Sequence, residues 1–250
     1  MLKFISYNNR NTNNLNVGDI NCSPHLYFSF KNYALEDICT YDPLKEDICI
    51  IGGGGLLCNP QGQDFDKYLN CNKKIIWGAG INTHDTFDYK LEPSLSLFDL
   101  VGIRDDRKYH SYNFLPCVSC MHPAFSKSYE IKHDIVVYEH YDIPIDLKYP
   151  KLNNSGEYIE EKINFLASSN YVITNTYHGM YWSILLKKKV LIYNPFSSRF
   201  LYTPFKLPFC NQDNYVEQMK ECKVYDLLYT YRQLNIDFFE SVKLLTHVHI

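Results

Sequence analysis

Short apolar runs closed by glycine or polar residues recur along the chain. Residues 2–7 (LKFISY), 47–51 (DICII), 74–77 (KIIW) and 98–103 (FDLVGI) mark the first half, and residues 134–138 (DIVVY), 171–174 (YVIT) and 189–193 (KVLIY) the second. Continuous runs, as opposed to strict alternation, are the pattern of strands buried on both faces of a parallel sheet. Between them lie helical segments. Residues 157–167 carry Ile159, Ile163 and Phe165-Leu166 on one side, and 178–187 form a second helix candidate. Residues 20–33 follow Asp19, which is placed to cap them as a helix, and the chain is helical in character from about residue 212. Strands alternating with helices predict an α/β fold of two Rossmann-like halves with parallel sheets. The expected division is 1–128 and 129–250, the second half ending in a helical tail. No internal repeat is visible, and the only biased tract is the Asn-rich loop NNRNTNNLNVGD.

Composition narrows the class. A chain of 250 residues accommodates one large α/β domain or two small ones. With 46% hydrophobic and 21% charged residues it reads as folded and not as disordered. The 22 Tyr and 15 Phe suit either ordinary cores or sugar-facing surfaces. The net charge of −3, from 25 basic and 28 acidic residues, argues against nucleic acid as a partner. The one dense basic run, Lys187-Lys188-Lys189, falls at a predicted helix C-terminus, where cations complement the helix dipole. Nine cysteines, at 22, 39, 49, 58, 71, 117, 120, 210 and 222, are odd in number and scattered. With no signal-like opening, they predict reduced thiols and a cytoplasmic protein. No apolar run approaches the roughly 18 residues of a membrane span, which leaves only peripheral contact at the inner face of the membrane.

Ligands of open parallel sheets bind beyond the carboxyl ends of the strands, so residues that follow a strand are the candidates for chemistry. Five such segments stand out. Asn16-Val17-Gly18-Asp19 precedes a predicted helix, whose N-terminus can meet an anion or a sugar hydroxyl or form a plain capped turn. Gly52-Gly53-Gly54-Gly55 fits a ligand-facing loop, although neither a dinucleotide fingerprint nor a P-loop is present. Trp77-Gly78-Ala79-Gly80, with Asn82 and His84 beyond it, can line a cleft. Arg104-Asp105-Asp106-Arg107 brings two guanidinium groups at a spacing that shares a face if a helix starts there, and arginine matches phosphate or carboxylate bidentately. Thr174-Asn175-Thr176-Tyr177-His178-Gly179 sets a histidine where strand gives way to helix. A nearby helix N-terminus lowers its proton affinity and a bound phosphate raises it. Cys117-Val118-Ser119-Cys120 has the spacing of a metal or redox pair, with His122 and His110 nearby. The two further ligands of a zinc site do not appear in any usual spacing, so a structural role and no metal are expected.

In order along residues 1–205, N-x-G-D, IIGGGGLL, WGAGIN, VGIRD, PCVSCMHPAF, VVYEH and SSNYVITNTYHGMYWSILL resemble the polysaccharide pyruvyl transferase family. The resemblance implies a GT-B-like architecture and transfer of pyruvate from phosphoenolpyruvate to two hydroxyls of a cell-surface glycan sugar, as a ketal. It aligns His178 with the family's histidine, the implied catalytic residue, and Arg104 with its strand-end arginine. It puts the donor side in the second half, and the implied donor-binding residues are Arg104, Arg107, Thr176, Tyr177, Gly179, Ser198 and Arg199. The acceptor side or cleft takes in Asn16, Gly18, Asp19, Gly53, Gly54, Gly55, Asn82, Glu139 and His140. Some members carry arginine two residues before the histidine, where this chain has Thr176, so Arg107 or Arg199 would complete the anion clamp. No cofactor is required, and the implied partners are the small donor and a glycan or lipid-linked sugar. A GT-B-type glycosyltransferase using a nucleotide-activated sugar, and a non-catalytic sugar-binding subunit, are the alternatives.

Overall fold

The structure, a computed structural model, describes residues 1–7, 15–57, 65–84 and 93–246. Two all-parallel sheets organise it. The first has the order β2-β1-β3-β4-β5-β6, with β1 Leu2–Ser6, β2 Tyr33–Asp37, β3 Ile48–Gly52, β4 Lys73–Ala79, β5 Leu100–Ile103 and β6 Asn113–Phe114. The second runs β11-β10-β9-β7-β8, with β7 His133–Glu139, β8 Lys151–Asn153, β9 Ser169–Thr174, β10 Lys189–Tyr193 and β11 Phe209–Cys210. Read from its own first strand, the second sheet has the order 2-1-3-4-5, which is also the order of the first five strands of the first sheet. The chain therefore repeats itself in topology where its sequence shows no repeat.

The apolar runs become the central strands, buried on both faces: Cys49, Ile50 and Ile51 of β3, Ile75, Ile76 and Trp77 of β4, and Val172 and Ile173 of β9 are at 0% exposure. Helices α2 (Ile159–Ala167) and α3 (Tyr177–Leu185) pack on the second sheet. α3 is buried all round, from Tyr177 to Leu185, so it serves as core and not as an amphipathic cover. The helix expected over 20–33 does not form. A single turn, α1 (Val17–Ile20), gives way to a tight turn at Pro24–Leu26, and residues 33–37 pair instead as β2 along the free edge of β1. Pro24 has no N–H to give to a continuing helix. Asn16, and not Asp19, caps α1, accepting the Gly18 N–H at 3.0 Å. The helical tail is broken into α4 (Tyr215–Gln218), a following turn, and the longer α5 (Leu228–Thr246).

α5 crosses back to the first sheet. Phe238 packs on Trp77 and Phe239 stacks on Phe28, while Asn235 accepts the Trp77 indole N–H at 2.9 Å. A second join is a continuous core in which Val17 and Cys22 of the first half lie with Tyr138, Tyr177, Met180 and Trp182 of the second. Backbone bonds close the seam: Val17 N–H to Asn154 O at 3.0 Å, and Ser198 N–H to Thr83 O at 2.9 Å. Among the described residues no helix is long and apolar enough to cross a membrane.

Candidate functional site

All strands of both sheets are parallel, so each sheet delivers its connecting loops at one end, and these two ends meet. Gly18 beyond β1, Asn82 and Thr83 beyond β4 and Arg104 after β5 meet Tyr177 and His178 after β9 and Ser198 and Arg199 after β10. At their junction Arg104, at the end of β5, lays its guanidinium 3.6 Å from the centroid of the Tyr177 ring, in the first turn of α3. Arg104 is 5% exposed, and its Nε and Nη1 have no hydrogen-bond partner among the described residues. Gly80 makes the approach possible, because a Cβ there would sit 2.2 Å from Arg104 Nε. On the neighbouring side the His178 ring lies between Gly18 and Trp182. A Cβ on Gly18 would come within 2.0 Å of His178 Nδ1, and the Trp182 ring centroid is 5.0 Å away.

Arg199, from the turn Ser198–Phe200 beyond β10, is the second cation. Its Nε donates to Asn82 Oδ1 at 3.1 Å and to Ser197 Oγ at 2.6 Å, tying it to the loop after β4. Gly55 packs on the Asn82 side chain and Gly54 faces the Asp19 carboxylate, so the glycine loop lines the same place. Gly53 packs on Cys22 just behind it.

The electrostatics follow from two guanidinium groups in a half-dry setting. Burial, Arg104 and Arg199 together hold the His178 imidazole well below the ordinary histidine range, so the ring is neutral. Burial raises Asp19 above the usual carboxylate range, against the opposing pull of Arg199 and Arg104. Asp105, 2% exposed, is pushed up to about 7 by burial, countered in part by Arg104 and by the Ile81 N–H that its carboxylate accepts at 2.7 Å. Arg199 itself is lowered to about 10 by burial and by Arg104.

The remaining expected residues divide. Tyr177 carries Arg104, and His140 stands at the rim, its ring stacked on Tyr141 and its proton affinity lowered by burial and then by Arg199. Thr176 caps α3, accepting the Gly179 N–H at 2.9 Å; Gly179 fits against Thr174 and Tyr138. Ser198 Oγ accepts the Thr83 N–H at 2.9 Å, and Asn16 caps α1. Glu139 accepts the Ile145 N–H at 2.7 Å and so braces the loop after β7. Arg107 is not in the group. The chain bends at Arg104 and Asp105 and is extended at Asp106, and a helical turn begins only at Arg107, so the spacing that would align it with Arg104 on a helix does not apply, and the exposed Arg107 donates to Tyr112 O and Asn113 Oδ1. His178 is itself 6% exposed inside α3 and not a loop residue.

Sequence reasoning passed over Gly80, Cys117 and Asp105 as site residues, although each lay inside a quoted motif. Cys117 Sγ is 3.5 Å from His178 Nε2. Among the described residues no group of three or more His, Cys, Asp or Glu could hold a metal ion. Cys120 Sγ accepts from Asn235 Nδ2 at 3.5 Å, His110 Nε2 lies 3.0 Å from the Asp105 carbonyl, and His122 faces Glu160. No disulfide joins any of the eight described cysteines; Cys58 lies outside the described residues.

Two Rossmann-like halves with a cationic, histidine-bearing junction at their strand ends define the class of this α/β protein. The family model of polysaccharide pyruvyl transferase matches residues 2–197, and the chain belongs to that family of transferases. No curated protein matches its sequence. Among solved structures it is similar to a functionally uncharacterized protein of Klebsiella pneumoniae, at 17% identity and a TM-score of 0.52, over 83% of this chain and 92% of that one. That likeness concerns the fold.

Proposed function

We propose that this chain transfers pyruvate from phosphoenolpyruvate to a pair of sugar hydroxyls of a cell-surface glycan, forming a cyclic ketal. One observation carries the reading: Arg104 and Arg199 converge beside His178, and Arg104 buries two guanidinium nitrogens with no hydrogen-bond partner among the described residues. A buried, unpaired cation is costly unless a ligand completes it. Phosphoenolpyruvate offers two anionic groups, a phosphate and a carboxylate, to two arginines.

In this reading the arginines hold the donor, and its charge offsets the two cations that keep His178 neutral. The ring then gains a proton and delivers it to the donor's methylene carbon. The neighbouring carbon takes on oxocarbenium character. One sugar oxygen bonds to it, the second bonds as the phosphate leaves, and the two hydroxyl protons return to His178 and to the phosphate group. Asp19, between the arginines and the glycine loop, orients the acceptor hydroxyls. The mechanism sits at the C-terminal half's histidine with the first half presenting the sugar, across the 1–128 and 129–250 division.

The test is thermal stabilisation of the whole protein by phosphoenolpyruvate against a panel of nucleotide sugars, followed by detection of ketal and released phosphate with glycan acceptors. Stabilisation by phosphoenolpyruvate, lost in His178→Ala and Arg104→Met for turnover and binding respectively, is the expected result. Stabilisation by a nucleotide sugar alone would instead make the chain a GT-B-type glycosyltransferase. Glycan binding without any donor would make it a sugar-binding subunit.

A further inference from the structure

The motif Cys117-Val118-Ser119-Cys120 has metal or redox spacing, yet its first thiol and its serine are joined to the candidate catalytic ring. Trp182 Nε1 donates to Ser119 Oγ at 3.0 Å, Ser119 Oγ lies 3.2 Å from Cys117 Sγ, and Cys117 Sγ lies 3.5 Å from His178 Nε2. The series is dry: Trp182 and Ser119 are 0% exposed, Cys117 1% and His178 6%.

Its direction is fixed at one end, the Trp182–Ser119 bond, and open at the two contacts of Cys117. The indole N–H can only donate. Ser119 Oγ therefore accepts from Trp182 and has its own proton to place. Cys117 Sγ lies within reach of that proton, in a contact where either atom can donate, and a relay run from the indole makes the sulfur the acceptor. Cys117, receiving from Ser119, in turn has its S–H to place, and His178 Nε2 stands next to it. A ring that accepts at Nε2 is, when neutral, protonated at Nδ1. Nδ1 is the nitrogen that meets Gly18, in the segment that carries Asp19.

We propose that Cys117 is a positioning residue for His178: its thiol, oriented by Ser119 and Trp182, donates to Nε2 and fixes the neutral ring with its proton on Nδ1, turned to the Gly18–Asp19 side. The motif then needs neither metal nor redox chemistry to explain its first cysteine. The value of this to catalysis rests on the reading of His178 as the reacting group, but the tautomer does not.

The experiment is a two-bond proton–nitrogen correlation spectrum of the full chain labelled at histidine nitrogens, with His178→Gln assigning the resonance. The expected wild-type ring is the Nδ1–H tautomer. In Cys117→Ala the bias should vanish, giving a mixture or the Nε2–H form. Cys117→Ser, which keeps a donor at the position, should restore Nδ1–H. Phosphoenolpyruvate binding should weaken about two- to tenfold in Cys117→Ala, the range of one hydrogen bond's net contribution, and recover in Cys117→Ser. A wild-type ring protonated at Nε2 overturns the proposal outright, and does so even if Cys117→Ala fails to fold. A folded Cys117→Ala with an unchanged tautomer also overturns it. If the tautomer behaves as expected while phosphoenolpyruvate binds no variant at all, the positioning role stands and the proposed donor is wrong.

Discussion

Arg104→Met should stabilise the protein while removing its affinity for the donor, a sign opposite to that of most buried substitutions. Methionine fills a volume close to that of the arginine stem and needs no hydrogen bonds. The wild-type side chain buries Nε and Nη1 without hydrogen-bond partners among the described residues. An unsatisfied buried donor costs about 1–3 kcal/mol, and more when charged. Against that, the guanidinium lies 3.6 Å from the Tyr177 ring centroid, and a desolvated cation–π contact of this kind returns about 2 kcal/mol. Loss of the positive charge next to Asp105 costs little, because a carboxyl already pushed up to about 7 answers by binding a proton. Two such donors cost about 2–6 kcal/mol, so the difference favours methionine by up to about 4 kcal/mol, and for a chain of this length each kcal/mol moves the midpoint by about 2–4 °C. The assay is a pair of melts, each with and without saturating phosphoenolpyruvate. The variant should melt higher without ligand and show no shift with it. A variant that melts several degrees lower, or that the donor still stabilises, would refute the account of Arg104 as a cation waiting for an anion.

Gly18→Ala places a methyl 2.0 Å from His178 Nδ1, and the ring, backed by Trp182, must move by more than 1 Å; turnover should fall about 10²-fold, the scale for misplacement of that size, with the melt little changed, and undiminished turnover would contradict the assignment. Asp105 binds its proton more tightly folded than unfolded, at about 7 against 3.8. Its contribution is therefore fully present below the unfolded value and is lost as pH rises towards 7, at most about 4 kcal/mol over three units. Asp105→Asn keeps an acceptor for the Ile81 N–H and should flatten the fall in stability between pH 4 and 7, as read by melts across that range; an unaltered pH profile would place the carboxyl's titration elsewhere. Asn235→Leu strands the Trp77 indole N–H and the Pro116 carbonyl that Asn235 now satisfies, and should cost about 2–4 kcal/mol, measured by denaturant unfolding; a neutral result would show that α5 is not a staple of the first sheet.

The central strands were legible because burial on both faces leaves an unbroken apolar run, as in DICII. The edges were not. β2 and β8 are short and partly exposed, with no periodicity to separate them from loop. Residues 20–33 looked helical from a favourable start and scattered apolar positions, but Pro24 and the free edge of β1 decided otherwise. At the site, the strand-end rule found the places of Arg104 and His178, since it depends only on where a strand stops. It misjudged Arg107, whose alignment with Arg104 required a helix that begins too late. It could not reach Cys117, whose contact with His178 spans 61 residues and depends on how the two halves meet.

That meeting is also where the chemistry becomes asymmetric. The two sheets share a strand order, yet they do not contribute alike. The loop after β3 is glycine-rich, whereas its topological counterpart β9 runs into α3, whose first turn carries His178; β5 is followed by Arg104, with two buried nitrogens unpartnered among the described residues, and β11 ends in polar residues of a surface turn. Neither half alone holds both a neutral histidine and the cations that make it so. His178 owes its lowered proton affinity to burial, then to Arg104 from the first half and Arg199 from the second, and its ring is seated by Gly18 of the first. The shared core of Val17, Cys22, Tyr138 and Trp182 is therefore part of the site's geometry as well as of its stability. A small change there alters the distance between charges that are only partly screened, where a shift of 1 Å at close range changes a Coulomb energy by a sizeable fraction. Substitutions at the seam, such as Val17→Ala, should for that reason reduce donor affinity out of proportion to their effect on either sheet.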